Sequence, residues 1–197
     1  MRILGDSLKK LTDLRWLNLF EVECEHDSGA RGTWQFASRK AHPVLGAAPL
    51  EPDAVFIVPL LKTSSGNRLV VTKEFRVPLG DYEYSFPAGL RDDGEDVQTA
   101  ARRELSEETG LELTRILTAS PAVAASAGLT DECAAVVFVE CTGRPHRGNL
   151  DGMEEIEVFL LDYEGVVNLR RTPAKFSAKA WIVLLLFEMM GELAWPE

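Results

Sequence analysis

The stretch from Gly89 to Leu111 constrains this chain of 197 residues more than any other part of it. Its fixed positions are Gly89, Glu95, Arg103, Glu104, Leu105, Glu107, Glu108, Gly110 and Leu111. From average residue usage, the probability that these nine residues would occur by chance at this spacing somewhere in a chain of this length is on the order of 10⁻⁷. The stretch is therefore a motif, and the remaining segments are interpreted around it.

The second half of the motif has the pattern of an amphipathic helix. Val97, Ala101 and Leu105 recur every four residues and predict a buried stripe on a helix over 96–109. Gly110 follows the last helical residue, where a glycine commonly ends a helix. The sequence therefore predicts a helix that packs one face against a core and leaves the other face polar.

Three glutamates, Glu104, Glu107 and Glu108, share part of one surface of this predicted helix, because residues three and four apart are neighbours. Carboxylates that close repel each other, whereas a divalent cation such as Mg²⁺ binds carboxylate oxygens and reverses the sign of the interaction. A solvated acidic helix face is the alternative interpretation for a run of charges. The complete motif favours the metal site.

The motif resembles the Nudix box, and the chain is similar to Nudix hydrolases over about residues 54–193. The resemblance implies an α/β (α+β) fold, a Nudix α/β/α sandwich with a mixed central sheet, over residues 51–197. It also implies an enzyme that uses Mg²⁺ or Mn²⁺ to hydrolyse a nucleoside diphosphate linked to another group.

The resemblance also assigns roles within the box. Metal ligands are the three glutamates and one backbone carbonyl, that is Glu104, Glu107, Glu108 and Ala88. Arg103 orients the glutamates through an ion pair with Glu95 and counts, with Glu108, among the catalytic residues. Structural roles go to Gly89, Glu95 and Gly110.

Two segments outside the box resemble the ADP-ribose pyrophosphatase and nucleoside diphosphate sugar hydrolase branch of this family. Glu74-Phe75-Arg76 resembles a run whose arginine contacts a substrate phosphate; the alternative for Arg76 is a surface arginine at a strand end. The loop 126–132 resembles one whose last glutamate acts on the attacking water or helps to hold metal. Glu132 is therefore the candidate general base, with the neighbouring Asp131 as a possible substitute, and an ordinary turn is the alternative.

Two positions depart from the pattern of that branch. Ser85 stands where the branch usually has glutamate, and Ala127 replaces a proline of the loop. Glu83 is two positions before Ser85, so it shares a strand face with it and can compensate in part. An acidic stretch before the strand at 154–161 also resembles the branch and makes Glu154 or Glu155 a candidate to approach the site, with a role outside the site as the alternative.

Residues 1–50 predict an N-terminal β extension in front of the Nudix-like region. The segments 16–22 and 33–37 have the composition of two strands that flank a turn. This extension resembles one that packs across a homodimer in ADP-ribose pyrophosphatases and helps to wall the substrate site. Trp34 is a candidate to stack on a base, with a core or interface aromatic as the alternative, and Arg39 is a candidate to bind substrate.

Apolar patterning predicts the remaining elements. A hairpin joins strands at 54–62 and 68–74, and a loop follows at 78–82. Further strands are predicted at 112–119, 134–140 and 154–161, and helices at 162–169 and 178–193.

Composition limits the partners and the compartment. The net charge of −10 argues against general binding to nucleic acid or to an anionic membrane, since phosphates would be repelled. The longest apolar run, at 180–187, is too short to cross a bilayer. The three cysteines have no metal spacing and predict free thiols in a reducing cytoplasm.

The expected activity is metal-dependent hydrolysis of ADP-ribose to AMP and ribose 5-phosphate. Other nucleoside diphosphate sugars, dinucleoside polyphosphates and oxidised nucleotides are alternative substrates. A nucleotide-binding Nudix module without catalysis is the alternative of a different class, and such modules commonly lack box glutamates that this chain retains.

Overall fold

A computed structural model describes residues 1–46, 50–146, 155–191 and 193. The strands are, in chain order, β1 (Arg2–Ile3), β2 (Lys9–Lys10), β3 (Asn18–Glu25), β4 (Arg31–Ser38), β5 (Ala54–Thr63), β6 (Gly66–Arg76), β7 (Asp81–Ser85), β8 (Ala88–Leu90), β9 (Glu112–Ala119), β10 (Val123–Ala124), β11 (Cys133–Thr142), β12 (Ile156–Leu161) and β13 (Lys175–Phe176). The α-helices are α1 (Val97–Thr109), α2 (Tyr163–Arg170) and α3 (Ala178–Met190).

The chain forms two compact units. The first contains Met1–Asp53 and Pro121–Ala134, and the second contains Ala54–Ser120 and Ala135–Glu197. The first unit thus includes a segment from beyond the box in addition to the N-terminal residues. The predicted division at residue 51 stays a prediction.

The first unit is built on the antiparallel hairpin of β3 and β4, which confirms the two predicted N-terminal strands. The short strands β1 and β2 pair with the other edge of β3. Phe20, Val22 and Phe36 form a small buried core, and the rings of Phe20 and Phe36 stack at 5.7 Å. The segment 121–134 joins this unit through a parallel bridge between Ala37 and Thr130 and through the pairing of β10 with the start of β11.

The second unit contains a mixed sheet in the order β11-β5-β6-β7-β13. Additional strands pair along its length: β9 with β11, β8 with β5, and β12 with β6. The β5–β6 hairpin confirms the prediction, and β13 runs parallel to β7. The predicted loop at 78–82 is wrong at its end, because Asp81 and Tyr82 already belong to β7 and pair with β6.

Helices cover both faces of this sheet, which confirms the α/β sandwich. Successive side chains of a strand point to opposite faces. Val55 and Ile57 of β5 accordingly lie in one core cluster with Leu105 of α1, while Phe56 and Val58 lie in another with residues of α2 and α3.

The ends of α1 and α3 follow from local signals. Asp96 caps α1, since its Oδ1 accepts a hydrogen bond of 2.7 Å from the Thr99 amide, and Gly110 ends α1 with a φ of 70°. The helix predicted to reach Leu193 stops at Met190 instead, because Gly191 has a φ of 78° and terminates it. Among the residues that the structure describes, no helix has the length and apolar character needed to cross a membrane.

Candidate active site

Arg103 of α1 organises the loop that leads into the helix. Its Nη2 donates hydrogen bonds of 2.9 Å to Oε2 of Glu95 and 2.9 Å to the carbonyl of Leu90. The Asp92 amide donates to the same Glu95 oxygen at 3.0 Å. The hydrogen bond from Arg103 and the one from the Asp92 backbone hold the pKa of Glu95 below its ordinary value. The loop and the helix are therefore joined through an ionised glutamate.

The same guanidinium also contacts two of the candidate metal ligands. Nη1 of Arg103 lies 2.8 Å from Oε1 of Glu104 and 3.1 Å from Oε2 of Glu107. These hydrogen bonds raise the pKa of Arg103, with the bond to Glu95 contributing most. Arg103 thus offsets the mutual repulsion of carboxylates that lie on one helix surface.

Two box glutamates converge on strand β8. Oε1 of Glu108 accepts a hydrogen bond of 3.4 Å from the amide of Ala88. A Cβ placed on Gly89 would lie only 1.9 Å from Oε1 of Glu104, so a glycine is required for the carboxylate to sit against the backbone. The φ of Gly89 lies outside the left-handed region, so the backbone conformation does not require a glycine here. The close approach of the Glu104 carboxylate does require one.

The second box glycine has a different reason. Gly110 adopts a φ of 70°, which favours glycine, and a Cβ there would also meet the imidazole of His146 at 2.5 Å. Gly110 thus ends α1 and makes room for a neighbouring ring.

The donor chemistry of this surface fits a hard divalent cation. Carboxylate oxygens of Glu104, Glu107 and Glu108 and the backbone at Ala88 are the ligand type that Mg²⁺ and Mn²⁺ take. As placed, however, no three His, Cys, Asp or Glu side chains in the described ranges stand close enough together to hold an ion. Glu104 and Glu107 are hydrogen-bonded to Arg103 instead. A bound cation would share these carboxylates with Arg103 or move them away from it.

Arg76, the candidate phosphate ligand, lies at the end of β6 between two glutamates. Its Nη1 is 2.9 Å from Oε1 of Glu74, and its Nε is 3.6 Å from Oε2 of Glu83. Its side chain remains 40% exposed, which leaves part of the guanidinium open to a ligand.

The departure at Ser85 has a structural counterpart. Ser85 is buried, and its hydroxyl lies 3.2 Å from that of Ser177, the residue that caps α3. Glu83, two residues earlier on β7, faces Arg76 instead. The glutamate of this strand thus lies two positions earlier than is usual in the branch, and it contacts the candidate arginine.

In the first unit, two predicted site residues contact each other. Nε of Arg39 donates a hydrogen bond of 2.9 Å to Oε2 of Glu132. The residues around them are also joined: the hydroxyl of Ser38 donates to Oδ2 of Asp131 at 3.0 Å, and Nζ of Lys40 lies 2.9 Å from Oδ1 of Asp53. The sequence did not predict that Ser38, Lys40 and Asp53 lie next to this pair. Contacts between segments so far apart in the chain leave no local spacing that could indicate them.

The charge state of Lys40 reflects this cluster. Partial burial lowers the pKa of Lys40, but its hydrogen bond to Asp53 and the negative charges of Asp53 and Asp131 more than offset that effect. The pKa of Lys40 is therefore raised, and its side chain is a cation that faces two carboxylates.

Trp34 lies beside an open apolar cavity of the first unit. The cavity has a volume of about 260 Å³, and its lining includes Val22, Trp34, Phe36 and Ala127. Trp34 is 54% exposed, so one part of its ring is available to a partner. Stacking of Trp34 on a base stays a prediction.

The acidic stretch before β12 is described in part. Glu154 lies outside the described residues. The pKa of Tyr82 is raised, chiefly by hydrogen bonding with the carboxylate of Glu155. The placement thus connects Glu155 with β7, and its predicted approach to the site stays a prediction.

Comparisons with known proteins relate this chain to one family and to pyrophosphatases. Residues 51–183, more than half of the chain, match the family model described as the NUDIX domain. An ADP-ribose pyrophosphatase of Saccharomyces cerevisiae is 33% identical over 135 residues, which are 68% of this chain and 56% of that protein. An ADP-sugar pyrophosphatase of Mus musculus is 31% identical over 157 residues, which are 75% of this chain and 69% of that protein.

A solved structure supports the fold. The crystal structure of an ADP compounds hydrolase superposes with a TM-score of 0.69 over 98% of this chain and 96% of that one. The sequence identity is 21%, so this likeness concerns the fold alone.

Proposed function

Because this chain belongs to the NUDIX family and is a pyrophosphohydrolase of its ADP-ribose pyrophosphatase branch, we propose that it hydrolyses ADP-ribose to AMP and ribose 5-phosphate. The observation that carries the proposal is the convergence of Glu104 and Glu108 on Ala88 and Gly89 beside Arg103. The names of the yeast and mouse relatives support a nucleoside diphosphate sugar as the substrate class.

Glu104, Glu107, Glu108 and the carbonyl of Ala88 would hold Mg²⁺ or Mn²⁺. Such an ion neutralises phosphate charge and lowers the pKa of a bound water. Arg103 anchors Glu95 and keeps Glu104 and Glu107 turned toward one side of α1, so it orients these carboxylates.

The other candidate residues act on the water and on the substrate. The attacking water forms a bond to one phosphorus, the bridging P–O bond breaks, and Glu132 accepts the proton of the water. Arg76 would bind a phosphate oxygen with its exposed guanidinium, and Arg39, which contacts Glu132, would bind substrate at its other donors. Trp34 would stack on the base.

We also propose that the chain works as a homodimer in the cytoplasm. Trp16, Leu17 and Leu19 are exposed apolar side chains that follow one another closely at the start of β3, and a cluster of this kind is typical of an interaction surface. All three cysteines are free, as is usual in a reducing compartment. Sedimentation analysis at several protein concentrations tests the dimer, and a monomer at all of them would contradict it.

A nucleotide panel tests the activity. Wild-type protein is assayed with ADP-ribose, other nucleoside diphosphate sugars, dinucleoside polyphosphates and oxidised nucleotides, each with Mg²⁺, Mn²⁺ or EDTA. The proposal predicts the highest kcat/KM for ADP-ribose and no turnover in EDTA. A clear preference for another class of nucleotide would identify that class as the substrate and contradict hydrolysis of ADP-ribose. Tight nucleotide binding without any turnover would favour a binding module.

A further inference from the structure

The residues that end β4 hold the loop that carries Glu132. Ser38 is fully buried, and its hydroxyl donates a hydrogen bond of 3.0 Å to Oδ2 of Asp131 while accepting one of 3.1 Å from the Lys40 amide. Nζ of Lys40 lies 3.7 Å from the same Asp131 oxygen. The residue before Glu132 is therefore fixed to β4.

The residue after Glu132 is fixed as well. The Cys133 amide donates to Oδ2 of Asp53 at 3.0 Å, and the Asp53 amide donates to the Cys133 carbonyl at 2.8 Å. Asp53 is held in turn by Lys40, whose Nζ is 2.9 Å from Oδ1. Lys40 thus connects the anchors on both sides of Glu132.

These contacts are worth more than ordinary surface pairs. The side chains of Asp131 and Asp53 are only 17% and 23% exposed, and each accepts a hydrogen bond in addition to facing Lys40. Hydrogen bonds to ionised groups are stronger than neutral ones and lose less to solvent when they are partly buried. A general base has to be held within about 0.5 Å of its working position, so its neighbours in the chain have to be ordered before substrate arrives.

We propose that Ser38, Lys40 and Asp53 are positioning residues that fix Glu132 through Asp131 and Cys133. The proposal rests on the proposed role of Glu132 as general base. It assigns Lys40 a structural charge within the loop anchor and no contact with substrate.

The test uses the full chain and the variants Ser38→Ala, Lys40→Met and Lys40→Arg. Lys62→Met is the matched control, because Lys62 also pairs with a carboxylate, that of Glu140, at 2.8 Å. Thermal unfolding first shows which variants fold. If Lys40→Met does not fold, the test uses Ser38→Ala, which removes only a single hydroxyl.

Hydrogen exchange of the amides of 129–133, in EDTA and without substrate, measures the anchor independently of activity. We expect exchange about tenfold faster or more in Lys40→Met and Ser38→Ala, and close to wild type in Lys40→Arg and in the control. Unchanged exchange in Lys40→Met and Ser38→Ala would overturn the proposal, whether or not the protein hydrolyses ADP-ribose.

Steady-state kinetics with ADP-ribose give the second measurement. A misplaced base lowers kcat by about 10- to 100-fold and leaves KM near its wild-type value, with recovery in Lys40→Arg. A raised KM at wild-type kcat in Lys40→Met would overturn the proposal, because Lys40 would then bind substrate. A wild-type chain without turnover would refute the proposed function, while the exchange result still decides whether the anchor exists.

Discussion

Nε of Arg39 lies 2.9 Å from Oε2 of Glu132, although the two residues are 93 positions apart in the chain. The resemblance to ADP-ribose pyrophosphatases implied separate roles for them, substrate binding for Arg39 and proton transfer for Glu132. The contact joins the two roles, because a ligand that binds the Arg39 guanidinium also affects the hydrogen bond that Arg39 donates to the candidate base Glu132. Their contributions to catalysis should therefore depend on each other.

A double-mutant cycle measures this dependence. We expect Glu132→Gln to lower kcat by about 10²- to 10⁴-fold, the usual contribution of a general base, and Arg39→Met to lower it less. The double variant should be no slower than Glu132→Gln, because residues that act as a unit are not additive. Arg31→Met, which removes an exposed ion pair with Glu25, is the control and should leave kcat unchanged. Fully additive losses would contradict the coupling.

Replacing Gly89 by alanine tests the close approach of Glu104 to β8. A Cβ there would overlap the Glu104 carboxylate, which is the flexible end of a side chain and can move away. We expect a folded protein with a large loss of kcat and weaker Mn²⁺ binding, since a metal ligand is displaced. Gly5→Ala, where a Cβ meets nothing within 4 Å, should behave like wild type. Wild-type Mn²⁺ affinity in Gly89→Ala would argue against Glu104 as a ligand.

Glu108→Gln tests the acidic face of α1 with little change of shape. The amide oxygen of glutamine can still accept the hydrogen bond from Ala88, so the fold should persist. The lost negative charge should lower kcat by orders of magnitude, as expected for a metal ligand. Glu164→Gln on α2 is an exposed control of the same chemistry. Wild-type rates for Glu108→Gln would remove this residue from the mechanism.

The ion pair of Arg103 and Glu95 makes stability depend on pH. The pKa of Glu95 is lowered in the folded state. The stabilisation that ionised Glu95 gives the fold is therefore fully present above the ordinary glutamate pKa of about 4.3, and it is lost as the pH falls through the folded-state pKa. Glu95→Gln should therefore be less stable than wild type at pH 7, and its free energy of unfolding should fall less steeply below about pH 4.3.

Urea unfolding in EDTA at a series of pH values measures both effects. Glu112→Gln, at an exposed position that begins β9, is the control and should keep the wild-type pH dependence. Identical slopes for wild type and Glu95→Gln at acid pH would contradict the assignment of this contribution to Glu95.

Local signals in the sequence predicted the elements that position the box. The apolar period of α1 and the glycine at 110 are local, and the structure has the helix at 97–109 with Gly110 at its end. Local signals were insufficient where pairing decides the conformation. Asp81 and Tyr82 form a strand because β6 offers them partners. The early end of α3 has a local cause that the prediction missed: Gly191 adopts a left-handed conformation and ends the helix before the apolar Leu193.

The candidate site was predictable only as far as its residues are close in sequence. The resemblance to the Nudix box implied an ion pair of Arg103 with Glu95, and the structure shows that pair together with a hydrogen bond from Arg103 to Glu104. The anchor of Glu132 was not predictable, because Ser38 and Asp131 are separated by 93 positions and Asp53 and Cys133 by 80. Such contacts depend on the folded chain and leave no periodic pattern. The assigned catalytic and binding roles stay predictions.

Product analysis of ADP-ribose hydrolysis tests the central claim most directly. Purified wild-type protein is incubated with ADP-ribose and Mg²⁺ or Mn²⁺, and the products are separated and quantified, with EDTA and Glu108→Gln in parallel. We predict AMP and ribose 5-phosphate in equal amounts, formed only with metal and greatly reduced in the variant. Release of ADP and ribose, or no turnover with either metal while the protein is folded, would contradict the account.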